Sequence, residues 1–246
     1  MAVAPDALRR TAVRLGTVAW LLLPGTPLVA QSNTQLWYDF EFDYYLKPRL
    51  LFVTEVGPKV LVSQGSGWNS VDVTPGLEFT PRPWVDLLFA VPFSYTVQEE
   101  DLNTFETRVQ VGARFTYQPI SRLLLRNRDL LEYRHIDYLG TDSTTNSGRV
   151  RFRIEARLAL NKPVYGANGM LYGITDAEAF VNLSQDPAER FMNRIRIRLG
   201  AGYRFIYNWR VEAIYTLQSS RNTLSGGDLT VDNIFRFRLI HYFAQH

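Results

Sequence analysis

The sequence predicts an all-β fold, namely a transmembrane, antiparallel up-and-down β-barrel with a charged lumen. The first supporting observation is a two-residue alternation. Between Leu36 and Tyr44 every second residue is apolar or aromatic, and the residues between them include Asp39, Glu41 and Asp43. A strand with this pattern has one apolar face and one polar face. The second observation is the length of the strands, and the third is the contrast between short turns and longer polar loops.

The alternation recurs in segments that are long enough to cross a membrane. A tilted transmembrane strand needs about 9–11 residues, whereas strands in soluble sheets have a typical length of about 5–6. We identify eleven segments, at about Thr34–Tyr45, Leu50–Gln64, Ser70–Thr80, Trp84–Gln98, Thr104–Tyr117, Leu123–Tyr138, Gly148–Leu160, Met170–Leu183, Met192–Phe205, Arg210–Gln218 and Thr230–Phe243. Nearly all reach the transmembrane length, which favours a membrane barrel over a soluble β-sandwich.

The connections between these segments alternate in character. Short turns are expected at 47–49, 80–83, 118–121 and 206–208, and polar, generally longer loops at 65–69, 99–103, 140–147, 184–189 and 219–229. Short turns at one end and longer loops at the other are typical of outer-membrane barrels.

Eleven segments conflict with the even strand number of single-chain bacterial barrels, which also place both chain ends on one side. We therefore expect twelve strands, with ten as the next choice. Gly57-Pro58 is the expected break in a long segment, because proline cannot donate a hydrogen bond to a neighbouring strand.

Residues 1–30 have the pattern of a secretory signal peptide. Arg9, Arg10 and Arg14 precede the apolar run 15–23, and cleavage is expected before Gln31. A retained membrane anchor is the alternative, but the run is shorter than the about 20 residues that a spanning helix needs. Residues 31–246 are then one barrel domain, exported to the bacterial outer membrane.

Composition narrows the possible partners. The chain has no cysteine, so no disulfide stabilises it. Its formal charge of +3 comes mostly from the leader: without Asp6 and three arginines, 24 basic and 23 acidic residues remain, a net charge of about +1. We expect no nucleic-acid partner.

Charged residues in the inward phase of the strands predict two walls of the lumen. The predicted basic wall consists of Arg126, Arg128, Arg134, Arg149, Arg151, Arg153, Arg157, Arg194, Arg196, Arg198, Arg204, Arg236 and Arg238. The predicted acidic wall consists of Asp39, Glu41, Asp43, Glu55, Asp72, Glu78 and Asp86. Opposed walls would set a transverse field that favours dipolar or anionic solutes. Alternatively, the charges pair across the lumen and plug it, since a barrel of this size has little interior space.

Catalysis is not expected from the residues present. A lipid hydrolase, the alternative enzyme class, would need a serine nucleophile beside a histidine base. His135 lies in the outward phase, and Ser143 and Ser147 near it show no characteristic spacing. We expect no cofactor and no metal site, because Asp176 and Glu178 face arginines and are better suited to ion pairs than to Ca²⁺.

The sequence resembles a family of bacterial outer-membrane proteins, domain of unknown function 2490. The resemblance rests on the opening Gln35-Leu36-Trp37, the repeated Arg-x-Arg steps and the ending from Phe235-Arg236-Phe237-Arg238 to Tyr242-Phe243. It covers about residues 33–243. The resemblance implies an outer-membrane β-barrel without an established activity.

Together these observations predict a structural barrel or a narrow, weakly anion-preferring channel without catalysis. The alternatives are a lipid-modifying hydrolase and a platform whose loops bind a partner. The expected partners are outer-membrane lipid, the barrel-assembly machinery, which reads the aromatic final strand, and a small anionic solute.

Overall fold

The computed structural model describes residues 31–62, 69–98, 103–141, 143–183, 192–222 and 228–243. These residues form an all-β protein, as predicted. Its strands are β1 (Gln31–Lys47), β2 (Leu50–Leu61), β3 (Asn69–Arg82), β4 (Val85–Ala90), β5 (Phe93–Val97), β6 (Thr104–Ile120), β7 (Leu123–Tyr138), β8 (Ser143–Ala159), β9 (Met170–Asn182), β10 (Met192–Ile206), β11 (Trp209–Asn222) and β12 (Asp228–Phe243). The predicted signal peptide, residues 1–30, lies outside the described residues.

The strands form one closed barrel. Apart from β4 and β5, strands that follow each other in the chain pair antiparallel, and β1 pairs with β12 to close the sheet. Strands β4 and β5 both lie between β3 and β6, so they are two halves of a single position in the wall. The twelve strands therefore fill eleven positions, which match the eleven segments of the sequence.

The break that divides one long segment in two lies at Val91-Pro92, and its predicted position at Gly57-Pro58 is wrong. Gly57 and Pro58 lie inside β2 and pair with β3 without interruption. Pro58 has no N–H to donate, and the pairing is interrupted on the other side of β2, where the register with β1 skips Tyr38 and Asp39. A strand with two neighbours can thus lose one pairing and remain continuous.

The closure explains why an odd number of positions is possible. A fully antiparallel barrel needs an even number, but β1 and β12 pair in parallel, with Gln31 beside Thr230 and Tyr44 beside Phe243. The start of β1 and the end of β12 consequently lie at opposite ends of the barrel. The expectation that all pairs are antiparallel, with both chain ends on one side, is wrong for this reason.

The two ends of the barrel differ in their connections. At the turn end, pairs of residues link the strands at 48–49, 83–84, 121–122 and 207–208, and a longer segment, 160–169, joins β8 to β9. Val91-Pro92 joins β4 to β5 within the wall, and the remaining connections join strands at the loop end. Segment 160–169 is an exception to the short turns that the sequence predicts at this end.

Alternation gives the wall two different faces. Large apolar side chains are exposed on the outside along every strand, for example Phe40, Phe89, Ile154 and Leu199. Most inward positions carry polar or charged residues, many of them buried. The described residues contain no helix with the length and apolar character of a membrane span.

The parallel closure predicts a specific cross-link. We expect Phe40→Cys and Leu239→Cys to form a disulfide, because these residues are partners in the parallel register and the chain has no other cysteine. Phe40→Cys with Phe235→Cys is the matched control, since Phe235 pairs with Leu36. Non-reducing gels of the oxidised variants measure the result. Cross-linking of the control pair instead would contradict the register.

Candidate functional site

The barrel encloses a charged cavity of about 630 Å³. Its lining includes all seven residues of the predicted acidic wall and twelve of the thirteen arginines of the predicted basic wall. Arg204 is the exception: it lines a second cavity of about 310 Å³. There its guanidinium donates to the carbonyls of Gly166, at 2.5 Å, and Tyr207, at 3.2 Å. The structure thus brings nearly all of the predicted residues to one space.

Several charged residues of the interior are not among the predicted site residues. They are Glu106, Arg108 and Arg114 on β6, Arg210 and Glu212 on β11, and Asp232 on β12. Each occupies an inward position of its strand. The signal that identifies them is the same alternation that identifies the others, because even-numbered positions of these three strands face inward.

Four interior carboxylates of the second half of the chain lie beneath a layer of arginines. The side chains of Glu132, Asp176, Glu178 and Glu212 have no solvent exposure. None of the four lines the cavity, although their arginine partners do. The cavity surface on this side therefore consists of guanidinium groups that cover buried acids.

Glu178 shows how these buried acids join strands. Its carboxylate lies 2.6 Å from Arg151 on β8, 2.5 Å from Arg198 on β10 and 3.2 Å from Arg128 on β7. Charge-assisted hydrogen bonds of this kind are among the strongest in proteins. One buried carboxylate thus fixes arginines from three other strands.

The acids of the first half pair mainly with cations on nearby strands. Asp72 pairs with Lys59 and Arg108, and Arg114 binds Glu78 at 2.5 Å and Asp86 at 2.9 Å. On β1, Asp39 and Glu41 pair with Arg236 and Arg238 of the adjacent β12. Most charges of the two predicted walls are therefore paired with an opposite charge on a nearby strand.

Arg126 and Arg128 differ from the other ion-paired arginines of the described residues. Their side chains retain 29% and 28% exposure, the highest fractions in that group. Arg126 approaches a carboxylate no closer than the 3.7 Å to Glu155, and the Nε atoms of both arginines have no hydrogen-bond partner. Among the ion-paired arginines that the structure describes, these two, at successive inward positions of β7, are therefore the most available to a ligand.

The wall between β3 and β6 leaves space for the cavity. At neighbouring positions in the register, Gly76 pairs with Ala90, Ala90 with Gln110, and Gly112 with Leu130. These side chains are short or neutral, whereas the inward positions of β7, β8 and β10 carry many arginines. Gly76 and Ala90, which line the cavity, therefore contribute little side-chain volume to the interior.

Packed aromatic and aliphatic side chains narrow the turn end. Ala159, Met170, Tyr172, Ile174 and Ile214 form a buried cluster, against which Tyr165 of segment 160–169 packs. The Tyr165 and Tyr172 rings lie 5.8 Å apart, edge to face. The segment turns through left-handed backbone conformations at Gly166 and Gly169, where glycine is favoured.

Cation–π contacts fill the region nearer the loop end. Four arginines surround Phe180, with guanidinium carbons 4.8–5.8 Å from the ring centre: Arg149, Arg151, Arg194 and Arg196. Arg196 also lies over the ring of Trp37, 5.2 Å away. Aromatic faces attract such cations electrostatically. The Phe180 ring thus adds to the ion pairs that Arg149 and Arg151 make with Glu132.

The histidine considered for catalysis lies on the outside of the barrel. His135 Nδ1 is 2.8 Å from Asn146 Oδ1, and Nε2 is 3.0 Å from Asp137 Oδ1. Among the described residues no hydrogen bond joins a serine or threonine hydroxyl to this ring, and Ser143 is hydrogen-bonded to Thr141 instead. Within the same residues, no group of three His, Asp or Glu side chains is placed to hold a metal ion.

Comparison with known proteins agrees with the resemblance seen in the sequence. The family model described as "Protein of unknown function (DUF2490)" matches residues 34–226, which is most of the chain, so the protein belongs to that family. No curated protein matches the chain.

The buried acids predict a large difference between two chemically identical substitutions. Glu178→Gln removes a fully buried carboxylate from three close arginines, so we expect the free energy of unfolding to fall by about 3–5 kcal/mol. Glu55→Gln is the control, because Glu55 is 29% exposed and lies 3.4 Å from its partners; we expect a loss below about 1 kcal/mol. Urea titration in lipid vesicles measures both, and equal losses would show that the buried acids do not hold the interior.

Proposed function

We propose that this member of the DUF2490 family is an outer-membrane β-barrel that provides a narrow, weakly anion-preferring path for small solutes and does not catalyse a reaction. One observation carries the proposal. The lining of the large cavity extends from Gln98 and Tyr138 near the loop end to Tyr45 and Thr80 near the turn end. A space of that extent is what a solute path requires.

The outer surface supports placement in a membrane. Exposed apolar side chains continue around the barrel, whereas soluble monomers rarely expose apolar patches above a few hundred Å². Aromatic residues near the turn end include Trp84, Tyr117 and Trp209, as in the aromatic girdles of membrane barrels. The predicted signal peptide supplies the route of export.

The dimensions of the cavity limit the path to small solutes. A volume of about 630 Å³ spread over a hydrocarbon thickness of about 30 Å gives a mean cross-section of about 20 Å². Water and small ions fit this area, whereas large solutes do not. Barrels with open aqueous channels have about 16 or more strands, so a narrow path is the expected result for eleven positions.

The preference for anions follows from which charges reach the cavity. Seventeen arginines and lysines line it, against nine aspartates and glutamates, because part of the acidic charge lies beneath the arginines. The path is thus positive at its surface even though most charges are paired. Clefts lined by one sign of charge concentrate counter-ions, and the partial compensation keeps this preference weak.

Ion selectivity in planar lipid bilayers tests the proposal. In a KCl gradient we expect the protein to pass chloride better than potassium, and the double variant Arg126→Gln/Arg128→Gln to show a weaker preference, because it removes the two most exposed of the ion-paired arginines that line the cavity. Arg82→Gln is the matched control: Arg82 is exposed near the turn end, does not line the cavity, and its loss is expected to leave selectivity unchanged.

Two results would contradict the proposal. Background conductance of the inserted protein would show that the paired charges and the turn-end cluster close the barrel, which would leave a purely structural role. Cation preference would show that the guanidinium surface does not set the selectivity.

A further inference from the structure

The outer face of β7 carries a carboxylate in the middle of an apolar surface. Asp129 lies near the middle of the strand and pairs with Ala113 on β6 and Phe152 on β8. Its neighbours Arg128 and Leu130 face the interior. Among the outward positions that the structure describes away from the strand ends, Asp129 is the one that carries an aspartate, glutamate, lysine or arginine.

Asp129 is paired with an amide and not with a cation. The Asn127 side chain, the preceding outward residue of β7, donates to Asp129 Oδ1 at 3.0 Å and makes a longer contact, 3.4 Å, with the Arg153 carbonyl. No salt bridge reaches Asp129 within the described part of the chain. Placing a charged side chain against lipid costs free energy, and such residues commonly mark functional surfaces. We therefore expect a partner to contact Asp129.

We propose that the outer face of β7 is the interface of a homodimer in the membrane. The inference rests on the proposed membrane placement but not on ion passage. A two-fold axis along the membrane normal keeps every residue at its depth, so the Asn127 and Asp129 pairs of two copies meet at the same level. The amide of each copy then donates to the carboxylate of the other, as a self-complementary interface requires.

The surroundings of the polar pair fit a second copy better than lipid. Lipid tails provide no hydrogen-bond donor to Asp129, whereas a second Asn127 does. Ala113 is short and allows close approach, and Leu131 and Ile154, which are 49% and 68% exposed, offer apolar contact on either side. Polar side chains that hydrogen-bond across an interface are a recurrent means of association within membranes.

Site-specific cross-linking in lipid vesicles tests the interface, because the chain has no cysteine of its own. We expect Leu131→Cys to give a disulfide-linked dimer at low protein-to-lipid ratio. Ile197→Cys, which is similarly exposed at 56% but lies on β10, is the control and is expected to remain monomeric. Adding Asp129→Leu to Leu131→Cys should abolish the dimer band. That variant places an apolar residue on the lipid face, so the barrel is expected to keep its fold.

Each other outcome is decisive. If inserted Leu131→Cys protein stays monomeric, if Ile197→Cys cross-links equally, or if Asp129→Leu leaves the dimer unchanged, the interface is wrong. Heat-modifiable migration in gels reports the folded barrel separately. Protein that folds but does not enter vesicles refutes the membrane placement itself, whereas protein that enters as a monomer refutes only the dimer.

Discussion

Ion pairing between inward arginines and buried carboxylates is the interaction on which the interior depends. Burying an unpaired charge costs several kcal/mol, and removing one partner of a buried pair leaves the other uncompensated. Glu178 and Glu132 meet this requirement by holding arginines of neighbouring strands, and Glu212 reaches Arg157 on β8 and Arg238 on β12. The barrel has no apolar core of ordinary size among its described residues, so these links take over much of the role of a core.

The same pairing decides where space remains. Arginines on β7, β8 and β10 cover buried acids of β7 and β9, and Gly76 and Ala90 on β3 and β4 contribute little side-chain volume to the interior. The cavity lining therefore combines guanidinium groups with the short residues Gly76 and Ala90. The aromatic cluster around Tyr172 narrows one end without removing the space along β1 to β6. The proposed function uses the space that this charged lining leaves open.

The alternation of residues predicts the fold and the lining because it states directly which side chains face inward. It is therefore sufficient to place Arg151 and Asp39 in one interior. It does not predict which acid each arginine binds, since that depends on the stagger of the strands around the barrel. The closure is equally beyond it, because nothing local in β1 records that β12 lies parallel to it. Pro58 and Pro92 show the same limit, because only the neighbouring pairings decide which proline interrupts a strand.

Cysteine accessibility inside the cavity tests the central claim most directly. Thr74 lines the cavity on β3, and the next residue towards the strand start, Val73, is exposed on the outside. In membranes, Thr74→Cys should react with charged, water-soluble thiol reagents, and faster with an anionic reagent than with a cationic one, while Val73→Cys stays unmodified in lipid. Protection of Thr74→Cys from both reagents, or faster reaction with the cationic one, would contradict a water-filled path with an anion-attracting surface.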